Sequence, residues 1–394
     1  MVKREIAKTL RALAREYPVV TVTGPRQSGK TTLVKDTFPG HAYVSLEDPD
    51  TREMAALDPR EFLRKRGKGM ILDEIQRMPE LLSYLQGIVD QSDRAGRYIL
   101  TGSHQFDLFS AVTQSLAGRT AILKLLPFSI HELDSINADF SVDEYLLHGF
   151  YPRIHDRGLD PVAAHRNYFE TYLQRDLRQL IAVKDLRLFQ KFVRLCAGRI
   201  GQIFNASGLS NDVGVSVPTV NAWISILEAS FILFLLEPYY ENSGKRLIKS
   251  PKLYFYDVGL AAYLLGIESI KHVERDPLRG NLFENMVIAE LVKRRFNQGR
   301  EHRLSYYRDS NGNEVDVLYR DGKDVIPIEI KASSTFSGDF LKGLRYLRRQ
   351  FPENTPRSYL VYAGDEAEAL DDIQLVNYKN AASILPTAGR TRGR

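Results

Sequence analysis

The 394-residue sequence is 43% hydrophobic and 26% charged, with net charge +5 and a pI near 9.0, so it is expected to form two or three globular domains, each with its own core. No stretch approaches the roughly 20 apolar residues that span a bilayer, and the opening residues do not form a signal-peptide core, so a cytoplasmic protein without a membrane partner is expected. The basic balance permits a nucleic-acid partner without demanding one, and the single cysteine, Cys196, read as core, excludes an internal disulfide or a cysteine metal cluster.

In chain order, the first third alternates short apolar strands with helical segments. Strands are expected at Val19 to Thr23, Tyr43 to Leu46, Met70 to Leu72, Tyr98 to Leu100 and Ala121 to Leu126. That alternation predicts a parallel sheet covered by helices. The first strand runs into Gly24, Pro25, Arg26, Gln27, Ser28, Gly29, Lys30, Thr31 and Thr32, a G-x-x-x-x-G-K-[ST] pattern between strand and helix. Glycines let phosphates approach backbone N–H groups at a helix N-terminus, whose partial positive charge favours anions. Lys30 would reach the β- and γ-phosphates of ATP, and Thr31 would hold Mg²⁺. Met70 to Glu74 is an apolar strand ending in two acids: Asp73 is expected on the metal, Glu74 on the attacking water.

The next strand ends in Thr101-Gly102-Ser103. Its hydroxyls, Thr101 and Ser103, read as sensors of the γ-phosphate or as part of a satisfied strand-end turn. Arg119, just before the fifth strand, reads as a finger reaching a neighbouring subunit's site or as a surface arginine capping a helix C-terminus.

From about Val142 to Leu265 the pattern is mainly helical. Ser207 to Ser230 reads as a helix-turn-helix, with Ser216 as N-cap, Pro218 in the first turn, and Val220, Ile224 and Leu227 on one face. Phe231 to Tyr240 and Leu253 to Tyr256 would supply a wing. Thr219, Asn221 and Ser225 are polar enough to meet base edges, but no Lys or Arg lies between Arg199 and Lys245. A structural or packing role is therefore favoured over DNA reading. Arg175, Arg178, Lys184 and Arg187 form an upstream basic run, either an interaction surface or a solvated helix face.

The last third returns to strands, Asn313 to Tyr319 and Val325 to Lys331, with Asp321-Gly322 as the hairpin signal. A two-residue turn there would pair Glu314 with Glu329 and Asp316 with Pro327. Glu314, Asp316, Glu329 and Lys331 would then share one face. Carboxylates so grouped can hold Mg²⁺, while a lysine orients hydroxide or stabilises developing charge. Ordinary sheet salt bridges, or a nuclease fold without activity, are the alternatives.

The ordered motifs Gly-Pro-Arg-Gln-Ser-Gly-Lys-Thr, Leu-Asp-Glu-Ile-Gln, Leu-Thr-Gly-Ser and Leu-Ala-Gly-Arg resemble a large family of prokaryotic AAA+ ATPases related to the archaeal-ATPase group. The resemblance continues through Gly149-Phe150-Tyr151-Pro152, a winged-helix-like middle and a C-terminal domain of unknown function. It implies ATP binding and ring-shaped homo-oligomers. The C-terminal acids resemble the PD-(D/E)xK nuclease fold, with Asp316, Glu329 and Lys331 as the core and Glu284 as a helix-borne acid, so Glu284, Asp316 and Glu329 become candidate Mg²⁺ ligands.

The expected architecture is α/β: a P-loop AAA+ parallel-sheet domain over 1–135, a helical and winged-helix-like domain over 136–265, and a restriction-endonuclease-like α/β domain over 266–384. A basic tail would follow over 385–394. The expected function is ATP hydrolysis coupled to a nuclease-like domain acting on nucleic acid. Two alternatives are a nucleotide-dependent switch whose last domain binds protein or nucleic acid without cutting it, and a sequence-specific regulator using the winged helix.

Overall fold

The computed structural model describes residues 2–64, 69–92, 94–103, 112, 115–136, 140–173, 186–239, 249–366, 368–370 and 372–386. Arg175, Arg178 and Lys184 of the basic run, Lys245, and the tail from Thr387 lie outside the described residues. The chain divides into two compact units. One comprises Met1–Phe128, Ala229–Phe231 and Arg295–Arg300; the other comprises Ser129–Glu228, Ile232–Arg294 and Glu301–Arg394.

The first unit is built on β1 (Val19–Thr23), β2 (Ala42–Ser45), β3 (Met70–Asp73), β4 (Tyr98–Gly102) and β5 (Thr120–Lys124). They hydrogen-bond in the order β2-β3-β4-β1-β5, and every pair is parallel. Parallel strands are covered on both faces, which requires near-continuous apolar runs rather than alternation. The sequence supplies these: β1, β3 and β4 are buried throughout. Met70, Leu72, Tyr98 and Leu100 pack with helix Leu81–Val89 on one side, while Ile71, Ile99, Val20 and Val22 pack with Leu33 and Val34 on the other. All five strands expected from the sequence are present. Their spatial order is what the sequence left open: β4 stands between β1 and β3.

The second unit opens with short capped helices, among them Val142–His148, whose Ser141 and Glu144 form a reciprocal capping box. Helix Leu186–Ala197 buries Cys196, and burial raises its thiol pKa; Arg187 is exposed on the same helix. Helices Ala206–Val213 and Val217–Ala229 are joined through Gly214 at φ 89°. Ser216 Oγ accepts from Thr219 N at 3.3 Å, and Val220, Ile224 and Leu227 are buried. Asn221 and Ser225 are exposed. An antiparallel pair follows, β6 (Leu233–Leu236) and β7 (Lys252–Phe255).

Helix Arg279–Asn297 then leads to β8 (Leu304–Arg308), β9 (Glu314–Asp321), β10 (Asp324–Lys331), β11 (Ser358–Tyr362), β12 (Ala369–Leu370) and β13 (Ile373–Asn377). They form one mixed sheet ordered β12-β13-β11-β10-β9-β8.

The β9–β10 hairpin corrects the expected register. Asp321 pairs with Asp324, and Pro327 pairs with Leu318 rather than with Asp316. The two central turn residues are therefore Gly322 and Lys323. Only Gly322 has positive φ, at 68°, as a type II′ turn with glycine first requires. The shift amounts to one full two-residue period, so the same side chains keep a common face.

Helix Val258–Leu264 packs closely where Gly259 meets the Gly149 turn. A Cβ on Gly259 would lie 2.5 Å from His165 Nε2 and 2.6 Å from Gly149 N. Gly259→Ala is expected to destabilise this unit by about 1–3 kcal/mol, read as a lower denaturant midpoint; an unchanged midpoint would show that the contact yields freely.

Candidate functional site

The P-loop starts where β1 ends. Gly24 takes φ 151° and Gly29 φ 89°, and a Cβ on Gly24 would lie 2.0 Å from the Leu125 carbonyl oxygen. Only glycine fits where the loop passes this close to the chain leaving β5. Gln27 also holds positive φ, at 60°. Arg4 pins the loop from outside, donating to Ser28 O at 2.7 Å and to Leu126 O at 2.6 Å. Lys30 begins helix Lys30–Thr37 and turns its ammonium onto Gly24 O and Pro25 O at 3.0 and 2.9 Å. Burial pulls its pKa down to about 8, opposed by the nearby Glu74 and Asp73.

Because β4 lies between β1 and β3, their C-terminal ends converge. Thr31 Oγ1 donates to Asp73 Oδ2 at 3.0 Å, Tyr43 from β2 donates to the same oxygen at 2.7 Å, and Thr101 from β4 donates to Oδ1. A hydroxyl beside a carboxylate is a hard oxygen donor set, the chemistry Mg²⁺ prefers. Glu74, next along, has φ 57°, so its side chain leaves the strand in a different direction from Asp73. Its carboxylate accepts from Ser103 Oγ at 3.1 Å and from Gln76 Nε2. Gln76, Tyr43 and Arg4 were not singled out from the sequence. Gln76 lies within a quoted motif; Tyr43 and Arg4 carry no local signal.

Arg119 lies at the opposite end of the sheet, before β5, where its carbonyl accepts from Val19 N at 3.4 Å. Its guanidinium pairs with Asp90 and donates to Ala117 O at 3.0 Å. It therefore does not approach the P-loop of its own chain.

In the second unit the C-terminal acids come together. Continuing the β9–β10 register places Glu329 opposite Asp316, and Asp316 Oδ2 accepts from Ile330 N at 2.8 Å. Lys331 bridges Glu329 at 2.6 Å and Asp316 at 3.7 Å. A second lysine, missed in the sequence, does the same for the other two acids: Lys252 on β7 lies 3.4 Å from Glu284 and 2.5 Å from Glu314. Tyr254 OH also donates to Glu284, at 2.5 Å.

Burial, reinforced by the Asp316 charge, raises Glu284 to about 7 and Glu329 to about 8. For Lys252 and Lys331, burial works downward but is outweighed by these carboxylates, so both are held above the ordinary lysine range. Among the described residues, no three His, Cys, Asp or Glu side chains converge closely enough to hold a metal ion by themselves.

Residues 16–134 match the model of an AAA domain. The chain thus carries an AAA-type P-loop ATPase domain, which implies nucleotide binding with Mg²⁺ as the usual ion. Residues 139–271 and 279–381 match two domains of unknown function, DUF8612 and DUF4143. Uncharacterized proteins of Mycobacterium tuberculosis and Mycobacterium bovis are each 31% identical over 337 residues, covering 84% of this chain and 74% of theirs. The chain belongs to their family.

An uncharacterized Haemophilus influenzae protein is 25% identical over 248 residues, 59% of this chain and 58% of its own. Among solved structures, a Walker-type ATPase of Pyrococcus abyssi aligns over 67% of this chain and 96% of its own, at 15% identity and TM-score 0.46. AMPPCP-bound DnaA of Aquifex aeolicus aligns over 57% and 85%, at 15% identity and TM-score 0.29. Among the described residues no helix is long and apolar enough to cross a membrane.

The raised Glu329 value has a definite sign. Between its ordinary 4.5 and about 8, Glu329 is protonated in the folded chain and ionised in the unfolded one. The folded state then holds more protons, so stability falls as pH rises through that window. Glu329→Gln is expected to flatten that fall and to be more stable than wild type at its alkaline end, measured by urea unfolding across pH. An unaltered slope would assign the titration elsewhere.

Proposed function

We propose that this chain binds and hydrolyses ATP, works as a homo-oligomer, and couples nucleotide turnover to a C-terminal domain acting on nucleic acid. The observation that carries the ATPase reading is the convergence of Lys30, Thr31, Asp73 and Thr101 at one end of a parallel sheet. Lys30 and the backbone N–H groups of residues 24–32 receive the phosphates, while Thr31 and Asp73 hold Mg²⁺. Glu74 orients the attacking water, and its bond from Ser103 links that carboxylate to the strand end beside the γ-phosphate.

Arg119 supports a role between subunits, because the sheet separates it from the P-loop of its own chain. A neighbour's nucleotide would draw its guanidinium from Asp90, and such fingers contribute about 10³ to 10⁵ in rate. A ring is the assembly this arrangement favours. The domain limits 1–135, 136–265 and 266–384 belong to the same reading, with the helix pair and β6–β7 as a winged-helix-like middle and the β8–β13 sheet as nuclease-like.

Lys30→Ala is expected to abolish ATP turnover, and Glu74→Gln to retain ATP binding while hydrolysing it slowly. Turnover surviving in the first variant, or binding lost in the second, would overturn these roles.

For the C-terminal domain, Asp316, Glu329 and Glu284 are the proposed acids, and Lys331 is the proposed ammonium that orients hydroxide or stabilises developing charge. A second reading, binding of nucleic acid or protein without cleavage, is favoured by one specific observation: each acid is already paired with a lysine. The two readings separate on incubation of plasmid, single-stranded DNA and RNA with Mg²⁺ or Mn²⁺, with and without ATP. Cleavage that disappears in Asp316→Ala supports the nuclease. Intact ATPase without cleavage, together with DNA binding that weakens steeply as salt rises, supports the binding domain.

A further inference from the structure

Lys252 reaches the acids from outside the sheet that carries most of them. Its backbone is held on both sides: β7 pairs with β6, and the segment before the helix pair bonds to its other edge, with Phe204 N donating to Pro251 O at 2.7 Å and Leu253 N donating to Gln202 O at 3.0 Å. Asn285, fully buried on helix Arg279–Asn297, closes the end of the same strand by accepting from Phe255 N at 2.6 Å and donating to Phe255 O at 3.0 Å. Glu284, the neighbour of Asn285, is thereby fixed against β7.

The ammonium of Lys252 lies 5.4 Å from the centre of the Tyr306 ring, and the residue is only 3% exposed. Tyr306 is itself tied to the same stretch, donating its hydroxyl to Ser250 O and its backbone N–H to Glu237 O at 3.1 Å. Lys252 is therefore a positioned cation rather than a surface side chain that fell among acids.

A divalent ion shared by Glu284 and its neighbours would need oxygens that the ammonium now occupies. Lys252 holds one oxygen of Glu284 and one of Glu314, while Arg308 lies 3.3 Å from the other Glu314 oxygen. Lys331 engages Glu329 and Asp316. Four acidic side chains thus face the buried Lys252, the half-buried Lys331 and an arginine, and among their buried oxygens Glu329 Oε2 is left without a hydrogen-bond partner. Because the ammonium already occupies these oxygens, a divalent ion must displace it rather than slip in beside it.

We infer that Lys252 is a built-in counter-ion that closes the C-terminal carboxylate cluster to divalent cations, so that the cluster takes a metal only when the Lys252 ammonium withdraws. The inference rests on the reading of these acids as a metal site and adds the element that controls its loading.

The test titrates Mn²⁺ into the full-length chain without nucleotide, counting free ion by electron paramagnetic resonance. Wild type and Lys252→Arg are expected to show no saturable site that depends on Asp316. Lys252→Met, and the more polar Lys252→Gln as a second neutral variant, are expected to gain one, binding Mn²⁺ at least about tenfold more tightly. Adding Asp316→Asn should abolish the gain, which separates this site from Thr31 and Asp73.

Wild type that already binds Mn²⁺ at a site lost in the single variant Asp316→Asn would overturn the inference, whatever the Lys252 variants do. So would neutral variants that bind no better than wild type. A metal gain without cleavage would leave the counter-ion role standing and remove the nuclease reading. Asp316-dependent cleavage by wild type would do the reverse.

Discussion

Asp73 collects hydroxyls from three separate stretches of chain: Thr31 after the P-loop, Tyr43 on β2 and Thr101 on β4. That convergence depends on the placement of β4 between β1 and β3. Were β3 beside β1, Thr101 would end on the far side of Asp73. Charge-assisted hydrogen bonds of this kind are stronger than neutral ones and fix the geometry of both partners. The carboxylate is thus positioned by the sheet itself, and the geometry of the proposed Mg²⁺ ligands follows from strand order.

Much of this site was legible in the sequence, for a physical reason. A phosphate-binding loop is contiguous: its glycines, lysine and hydroxyl must follow one another because a single strand-to-helix turn delivers all of them. Asp73 and Glu74 were legible because an apolar strand ending in acids is also local. Tyr43 and Arg4 were not, since each reaches the site through packing across the sheet or from the N-terminal segment. The C-terminal acids were recognised by their two-residue alternation, which survives a register error of one full period. Asp316 and Glu329 therefore share the expected face although their predicted cross-strand partners were wrong. Lys252 had no such periodic signature. It lies 32 residues before Glu284 in sequence, and only the packing of β7 against helix Arg279–Asn297 brings the two together.

The two units handle buried charge differently. In the first, Lys30 is buried against carbonyl oxygens, which offer partial negative charge, and its pKa falls. That leaves its ammonium readily exchanged onto a stronger anion such as phosphate. In the second, the buried Lys252 and the half-buried Lys331 face acidic side chains whose charge outweighs burial, and their pKa values rise. The same side chain is poised to accept a ligand in one setting and is already satisfied in the other. Glu290 and Lys293 form a further buried pair within helix Arg279–Asn297, at 2.7 Å, with Glu290 also accepting from Ile130 N at 2.9 Å.

The five residues of β5 join Arg119 at one end of the sheet to the Leu125 carbonyl, against which Gly24 is packed, at the other. Both ends are bonded to β1, through Val19 N to Arg119 O at 3.4 Å and Leu125 N to Thr23 O at 2.7 Å. A strand of this length is about 17 Å of extended backbone. β5 thus spans the sheet from Arg119 to the floor of the P-loop, where a residue without a side chain lies directly against it.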